Sequence, residues 1–375
     1  MSLLREYGSS IPVNIAGIGI GHGYPCRFIA EIGSLFPTAE EGAAYVDAAI
    51  RSGADFVKIH TFKARNYVTR HVKFDLPVME GRKIDPIEFV SGAEFPDEEH
   101  RKLFAYCMEK GIPIFSEPSH EDDVDFLMSL EVPAIELSPE DANNIPLIRY
   151  VGRKGIPLIL ATGACTMEEV WEAADSFYST GNRNLVLLHG VRYYPADAEE
   201  MNASVILTMQ KEFPDAPVGI FDLTSSTHPD EREGNEYAVN TARGLATALL
   251  AVGLGVDVVE KKLTTSKYNE GPDHVVAATP EEYKLILDTT RTMEKAYGDG
   301  VKRPSRSELL GTRIDDRKSV FANADIPTGT VLTEEMVCVK RPGNGLPPKF
   351  RDRVTGRRTM KALQKDDYIR LEDLE

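Results

Sequence analysis

Short apolar runs recur along this chain, each followed by a stretch in which apolar residues return every three or four positions. The runs are RFIAEIG (27–33), DFVKIHTF (55–62), IPIFSEP (112–118), PAIELSP (133–139), PLILATG (157–163), LVLLHG (185–190), PVGIFDLT (217–224) and DVVEKKLT (257–264). They are apolar on both faces, which predicts fully buried strands. Between them, Ala43, Val46 and Ile50 share one helical face, as do Val170, Ala174 and Phe177, and 245–252 reads as a largely buried helix. Eight β-then-α units predict an α/β fold, a (β/α)8 TIM barrel. A doubly wound sheet is the alternative. No GxGxxG follows the first strand, since Gly17, Gly19, Gly21 and Gly23 precede it.

After Tyr297 the pattern changes. Residues 298–316 are polar and punctuated by Gly and Pro, and read as a linker. Residues 317–375 hold short strand-like runs between turns such as PTGT and RPGNGLPP, a small, mostly β module. The barrel is expected over 1–297. The small module is short for an independent core and is expected to pack on a barrel, its own or a partner's.

The strand ends carry the chemistry. They finish in Glu31, Lys58 with His60, Glu117, Glu136, Thr162, His189, Asp222, and Glu260 with Lys262. Lys58 and His60 are two apart and point to one side of their strand. Ionisable groups at the C-terminal ends of buried strands are how a parallel barrel builds an active site. Gly271-Pro272 then predicts a tight turn that presents Asp273 and His274. His189 closes an apolar strand and reads as a metal ligand or acid/base, against a satisfied core histidine. Glu117 and Glu136 read either as partners of Lys58 and Lys262 or as oxygen ligands for a divalent metal. A lysine here could form a Schiff base if burial lowered its pKa.

The formal charge of −16 argues against a nucleic-acid partner, while local cations could still hold a small anion. No apolar run reaches membrane-spanning length, and the N-terminus lacks a secretory pattern. Four dispersed cysteines, Cys26, Cys107, Cys165 and Cys338, without CxxC spacing fit a reducing cytoplasm.

The order of AEIG (30–33), VKIHTF (57–62), ELSPEDANNIPLIRYV (136–151), LLHG followed by YYP (193–195), EKKLT (260–264), EGPDH (270–274) and VKRPGNG (339–345) resembles the sialic acid synthases. The resemblance spans nearly the whole chain. It implies a barrel with a C-terminal antifreeze-like (SAF) domain, usually in a domain-swapped homodimer, condensing phosphoenolpyruvate with an N-acetylhexosamine. It further implies Glu31, Lys58 and His189 as catalytic groups. Substrate contacts would come from His60, Asn143, Tyr194, Asp222, Lys262, Asp273, His274 and Arg317, and a divalent Mn or Mg ion would sit on His189, with Glu117 and Glu136 as the candidates to replace the family's missing second ligand. RPGNG (341–345) reads as a turn, with Arg341 as a further candidate anion contact.

The chain departs from the family pattern at several of these places. Ser34-Leu35-Phe36-Pro37 follows AEIG where an Asn-His-Asn-Gly-like segment is usual. His60 replaces a Gln, Glu117 a Thr, and Glu136 the Lys expected to help hold the phosphate. Leu223 stands at the second metal histidine. The donor site is therefore expected to be rebuilt or weakened. The alternatives are another carbonyl reaction on the same barrel, of aldolase or isomerase type, and a non-catalytic sugar-binding protein.

Overall fold

The computed structural model describes residues 10–33, 36–72, 85–233, 236–239, 241–269 and 271–375. Ser34, Leu35 and Glu270 of the motifs above lie outside these residues. The described chain divides into two compact units, Met1–Gly298 and Asp299–Glu375.

The first unit opens with a hairpin, β1 (Val13–Ile15) and β2 (Ile18–Ile20), turned at Ala16-Gly17, both with positive φ. Gly17 thus lies in the hairpin turn and Gly19 in a strand. Asp215 accepts a backbone hydrogen bond from Ile11, and Gly19 accepts one from the Arg27 side chain, so the hairpin lies against the N-terminal end of the strands that follow.

Those strands are β3 (Arg27–Glu31), β4 (Phe56–Thr61), β5 (Ile114–Pro118), β6 (Ile135–Leu137), β7 (Leu158–Ala161), β8 (Leu185–His189), β9 (Val218–Asp222) and, after a side hairpin of β10 (Thr227–Glu233) and β11 (Glu236–Val239), β12 (Val258–Lys262). They form a closed parallel barrel in which β12 returns to pair with β3. All eight coincide with the predicted runs. The helices between them start and stop on local chemistry. Thr38 caps Ala39–Ser52 and Gly53 ends it in the left-handed region, while Thr166 and Glu169 form a reciprocal capping box on Met167–Tyr178. Strands such as β7 are buried throughout, which is why their sequences do not alternate.

In the second unit, β13 (Ser319–Ala322) pairs antiparallel with β14 (Val337–Lys340) over a core of Val320, Ile326, Leu332, Val354, Leu363 and Ile369. The stretch read as a linker carries two short helices, Arg306–Leu310 and Thr312–Asp315. The RPGNG turn has a packing reason. A side chain at Gly343 would collide with Arg317, and one at Gly345 with Tyr368. Arg317 itself is exposed, and Arg341 pairs with Asp316 at 2.8 Å. Among the described residues, no helix is long and apolar enough to cross a membrane.

Candidate active site in the barrel mouth

The strands end around a cavity of about 670 Å³. Its wall includes Glu31, Lys58, His60, Glu117, Glu136, Tyr194, Lys262, Asp273 and His274 from the predicted set. Strand register explains the convergence. Lys262 lies beside Glu31, which lies beside Lys58, and His60 lies beside Glu117. Alternation sends Glu260 and Lys262 to one side of β12 and Lys261 to the other, where Lys261 holds Asp222 at 2.9 Å.

Two ion clusters occupy the mouth. In the first, the buried Lys58 ammonium contacts Glu117 at 3.1 Å, Glu136 at 2.7 Å and Glu260 at 2.8 Å. Burial works against the charge on Lys58, but Glu136, Glu260 and Glu117 hold its pKa well above that of an ordinary lysine. This overturns the Schiff-base expectation, which required a lowered pKa. Burial and the neighbouring Glu260 push the Glu136 carboxyl up. One oxygen of each, Glu136 Oε2 and Glu260 Oε2, is buried without a hydrogen-bond partner.

The second cluster centres on Lys262. Its ammonium pairs with Glu31 and, at 2.8 Å, with Asp273. It lies 5.8 Å from the Tyr194 ring centre, and Glu31 lies 3.2 Å from His60 Nε2. Burial opposes ionisation of Glu31, yet Lys262, Lys58 and His60 hold its carboxyl well below the usual range. Burial lowers the pKa of His274, whose Nδ1 is 2.7 Å from Thr264 Oγ1. Since the Thr264 hydroxyl donates to the Ser266 carbonyl, Nδ1 donates to Thr264 and Nε2 is the ring's acceptor.

A third group was not singled out from the sequence. Arg192 bonds Glu140 at 2.5 Å and stacks 4.7 Å over Tyr194. Burial raises the Glu140 pKa, but Arg192 outweighs it and holds the carboxyl at about 2. Their only sequence signal is position, each three residues beyond a strand end. Asp141 is pushed up to about 6, chiefly by burial, despite a hydrogen bond from Asn144. Because this folded-state pKa exceeds the unfolded value, Asp141 favours folding in acid, and that advantage is lost as pH rises from about 4 toward 6. Asp141→Asn should therefore stabilise the fold above pH 6, by up to about 3 kcal/mol, and change the melting temperature little near pH 4. Parallel melts at the two pH values check this, and equal shifts would refute it.

Three other predicted residues, Asn143, Asp222 and His189, do not line the cavity. Asn143 is exposed and does not wall the cavity; its neighbour Asn144 caps the helix Ile145–Arg153 instead. Asp222 is buried, bonded to Lys261 and Thr224. Arg317 belongs to the second unit. His189 is also absent from the wall. Its Nε2 is 2.8 Å from the Met201 carbonyl, and burial lowers its pKa.

The residues expected to hold a metal are thus engaged otherwise in this structure. Glu117 and Glu136 both turn to Lys58, His189 is bonded to Met201, and Leu223 contributes an apolar side chain to the wall. Among the described residues, no group of three or more His, Cys, Asp or Glu could hold a metal ion. Of the two roles open to Glu117 and Glu136, the structure shows the ion network.

A barrel with this mouth, followed by a small β module, has relatives. Residues 45–233 and 236–302 match the NeuB family, and residues 317–375 match the SAF domain. The chain belongs to the NeuB family. It is 31% identical to an uncharacterized protein of Methanocaldococcus jannaschii over 95% of this chain and 96% of that one. It is also 31% identical to the N,N'-diacetyllegionaminic acid synthase of Legionella pneumophila, over 95% of this chain and 96% of the synthase. Among solved structures, the spore coat polysaccharide biosynthesis protein spsE of Bacillus subtilis superposes with a TM-score of 0.64 at 27% identity, covering 97% of this chain and 99% of that one. The family's barrel and SAF module account for both units of the chain.

Proposed function

We propose that this protein is a sugar-acid synthase that joins an enolpyruvate-type donor to the carbonyl of an amino sugar, in the biosynthesis of a nonulosonic acid or a surface polysaccharide. The observation that carries this reading is the Lys262–Glu31–His60 group on the cavity wall, in a chain related to a diacetyllegionaminic acid synthase. It combines a fixed cation for a carbonyl oxygen with a carboxylate and imidazole for proton transfer. With phosphoenolpyruvate, the donor C3 bonds to the sugar carbonyl carbon, and the carbonyl oxygen takes up the electron pair and then a proton. Water adds to the donor C2 cation, and phosphate leaves. Lys58 braces the floor, and Tyr194 and His274 face the sugar.

The donor's anionic groups need a cation other than the family's lysine, because Glu136 occupies that place. Arg192 meets this need, with Glu140 as the group that releases it. Glu140→Gln is expected to tighten phosphoenolpyruvate binding several-fold, whereas Arg192→Leu abolishes it, as read by calorimetric titration. An unchanged affinity in both variants would place the donor elsewhere.

The reading as a whole is tested by incubating the protein with N-acetylhexosamines and phosphoenolpyruvate, and separately with pyruvate, and following 2-keto-3-deoxy acid formation. Product with phosphoenolpyruvate supports it. Product with pyruvate alone favours a second reading, an aldolase-type reaction, which the carboxylates Glu117 and Glu136 at the expected donor site also favour. Sugar binding without product from either donor favours a non-catalytic sugar-binding protein. The work is expected to be done by a cytoplasmic homodimer in which the SAF module covers a barrel mouth. Light scattering that returned a monomer at micromolar concentration would count against the exchanged arrangement.

A further inference from the structure

We propose that the Lys262 ammonium is the electrophile of this cavity, holding the substrate carbonyl oxygen in the role that a divalent metal ion would otherwise fill. This rests on the carbonyl-substrate reading above. An ammonium has three N–H donors. Glu31 and Asp273 engage it from two sides, and Tyr194 flanks it with a ring face. Among the described residues no third carboxylate pairs with it, and it lines the cavity, so a ligand oxygen can approach the ammonium from that side.

The setting suits a permanent cation. Lys262 and Glu31 are register partners on adjacent strands, so the pair is held by the barrel rather than by a loop. Burial disfavours the charge on Lys262, but Asp273 and Glu31 hold its pKa above that of an ordinary lysine. The groups that might have bound a metal are engaged otherwise, Glu117 and Glu136 by Lys58 and His189 by the Met201 carbonyl. As the donor carbon bonds to the carbonyl carbon, the C=O pair moves to oxygen and the alkoxide is met by Lys262 N–H. The proton that neutralises it comes from solvent, relayed along the contact between His60 and Glu31. Lys262 stays charged throughout.

The test has two arms. The first is calorimetric titration of Mn2+ and Mg2+ into chelator-treated native protein, with melting curves in and out of EDTA. No saturable heat and no shift in melting temperature are expected. Saturable binding that disappears in His189→Ala would overturn the proposal, whether or not turnover is ever found. The second arm uses the condensation assay. Turnover should survive chelation, and Lys262→Met should lower kcat by about 10²–10³-fold while KM for the sugar changes far less. Lys262→Arg, which keeps the ion pairs, should recover part of the loss and guards against a variant that fails to fold. Turnover abolished by EDTA and restored by Mn2+, or a folded Lys262→Met that works like the native protein, would overturn the proposal. Absence of turnover in the native protein under every condition would count against the condensation reading, and the metal titration would still decide the role of Lys262.

Discussion

Lys58→Met will destabilise the barrel by about 3–5 kcal/mol, the loss expected when one member of a buried ion cluster is removed and the others are left uncompensated. Three carboxylates depend on that one ammonium, and Glu136 and Glu260 are themselves buried. At the size of this unit the loss corresponds to a fall in melting temperature of roughly 6–15 °C. Circular dichroism melts followed at the barrel transition check it. Adding Glu136→Gln and Glu260→Gln to Lys58→Met should return a large part of the loss, because the stranded charge is then gone. A single variant that melts within about 2 °C of the native protein would mean that the carboxylates simply take up protons at little cost. The Schiff-base alternative also meets its end here, since a lysine that bears this load is not available as a nucleophile.

Glu31→Gln should cut turnover by about 10²–10⁴-fold, the range for loss of a positioned acid–base group. Glu31 touches both Lys262 and His60, so the variant removes the proton path and loosens the cation together. A stability measurement separates the carboxylate's electrostatic part. Its folded-state pKa is depressed, so its stabilisation is fully present above the unfolded pKa of about 4.3 and is lost as pH falls through the folded value. The native protein should therefore melt above Glu31→Gln at pH 7, and the two curves should converge in acid. Parallel curves at all pH values would show that the carboxylate's charge does not stabilise the fold. Native-like turnover would remove Glu31 from the chemistry.

The eight strands, the change of architecture after Tyr297 and the polar strand ends were all legible in the chain itself. Buried parallel strands need apolar residues on both faces, and helices on the outside need one apolar stripe, so local periodicity alone separates the two. The same two-residue alternation showed that Lys58 and His60 share a side. Even the departures from the family pattern, Glu136 and Leu223, could be named from the sequence.

Which charge meets which could not be read the same way. Lys58 finds its carboxylates 59, 78 and 202 residues away, because closing the barrel sets β12 beside β3 and brings Glu260 under the first strands. Glu117 and Glu136, open to two roles from the sequence, became partners of a lysine only through that closure. His189 carries the residue type of a metal ligand, but a backbone carbonyl twelve positions on takes its Nε2. Arg192 and Glu140 lie beyond the strand ends, where no periodicity marks them, and they meet because two loops converge over the same cavity. Sequence order settles what each strand offers to the mouth of a barrel; only the register and closure of the sheet decide which of those groups neutralise one another and which are left to face a substrate.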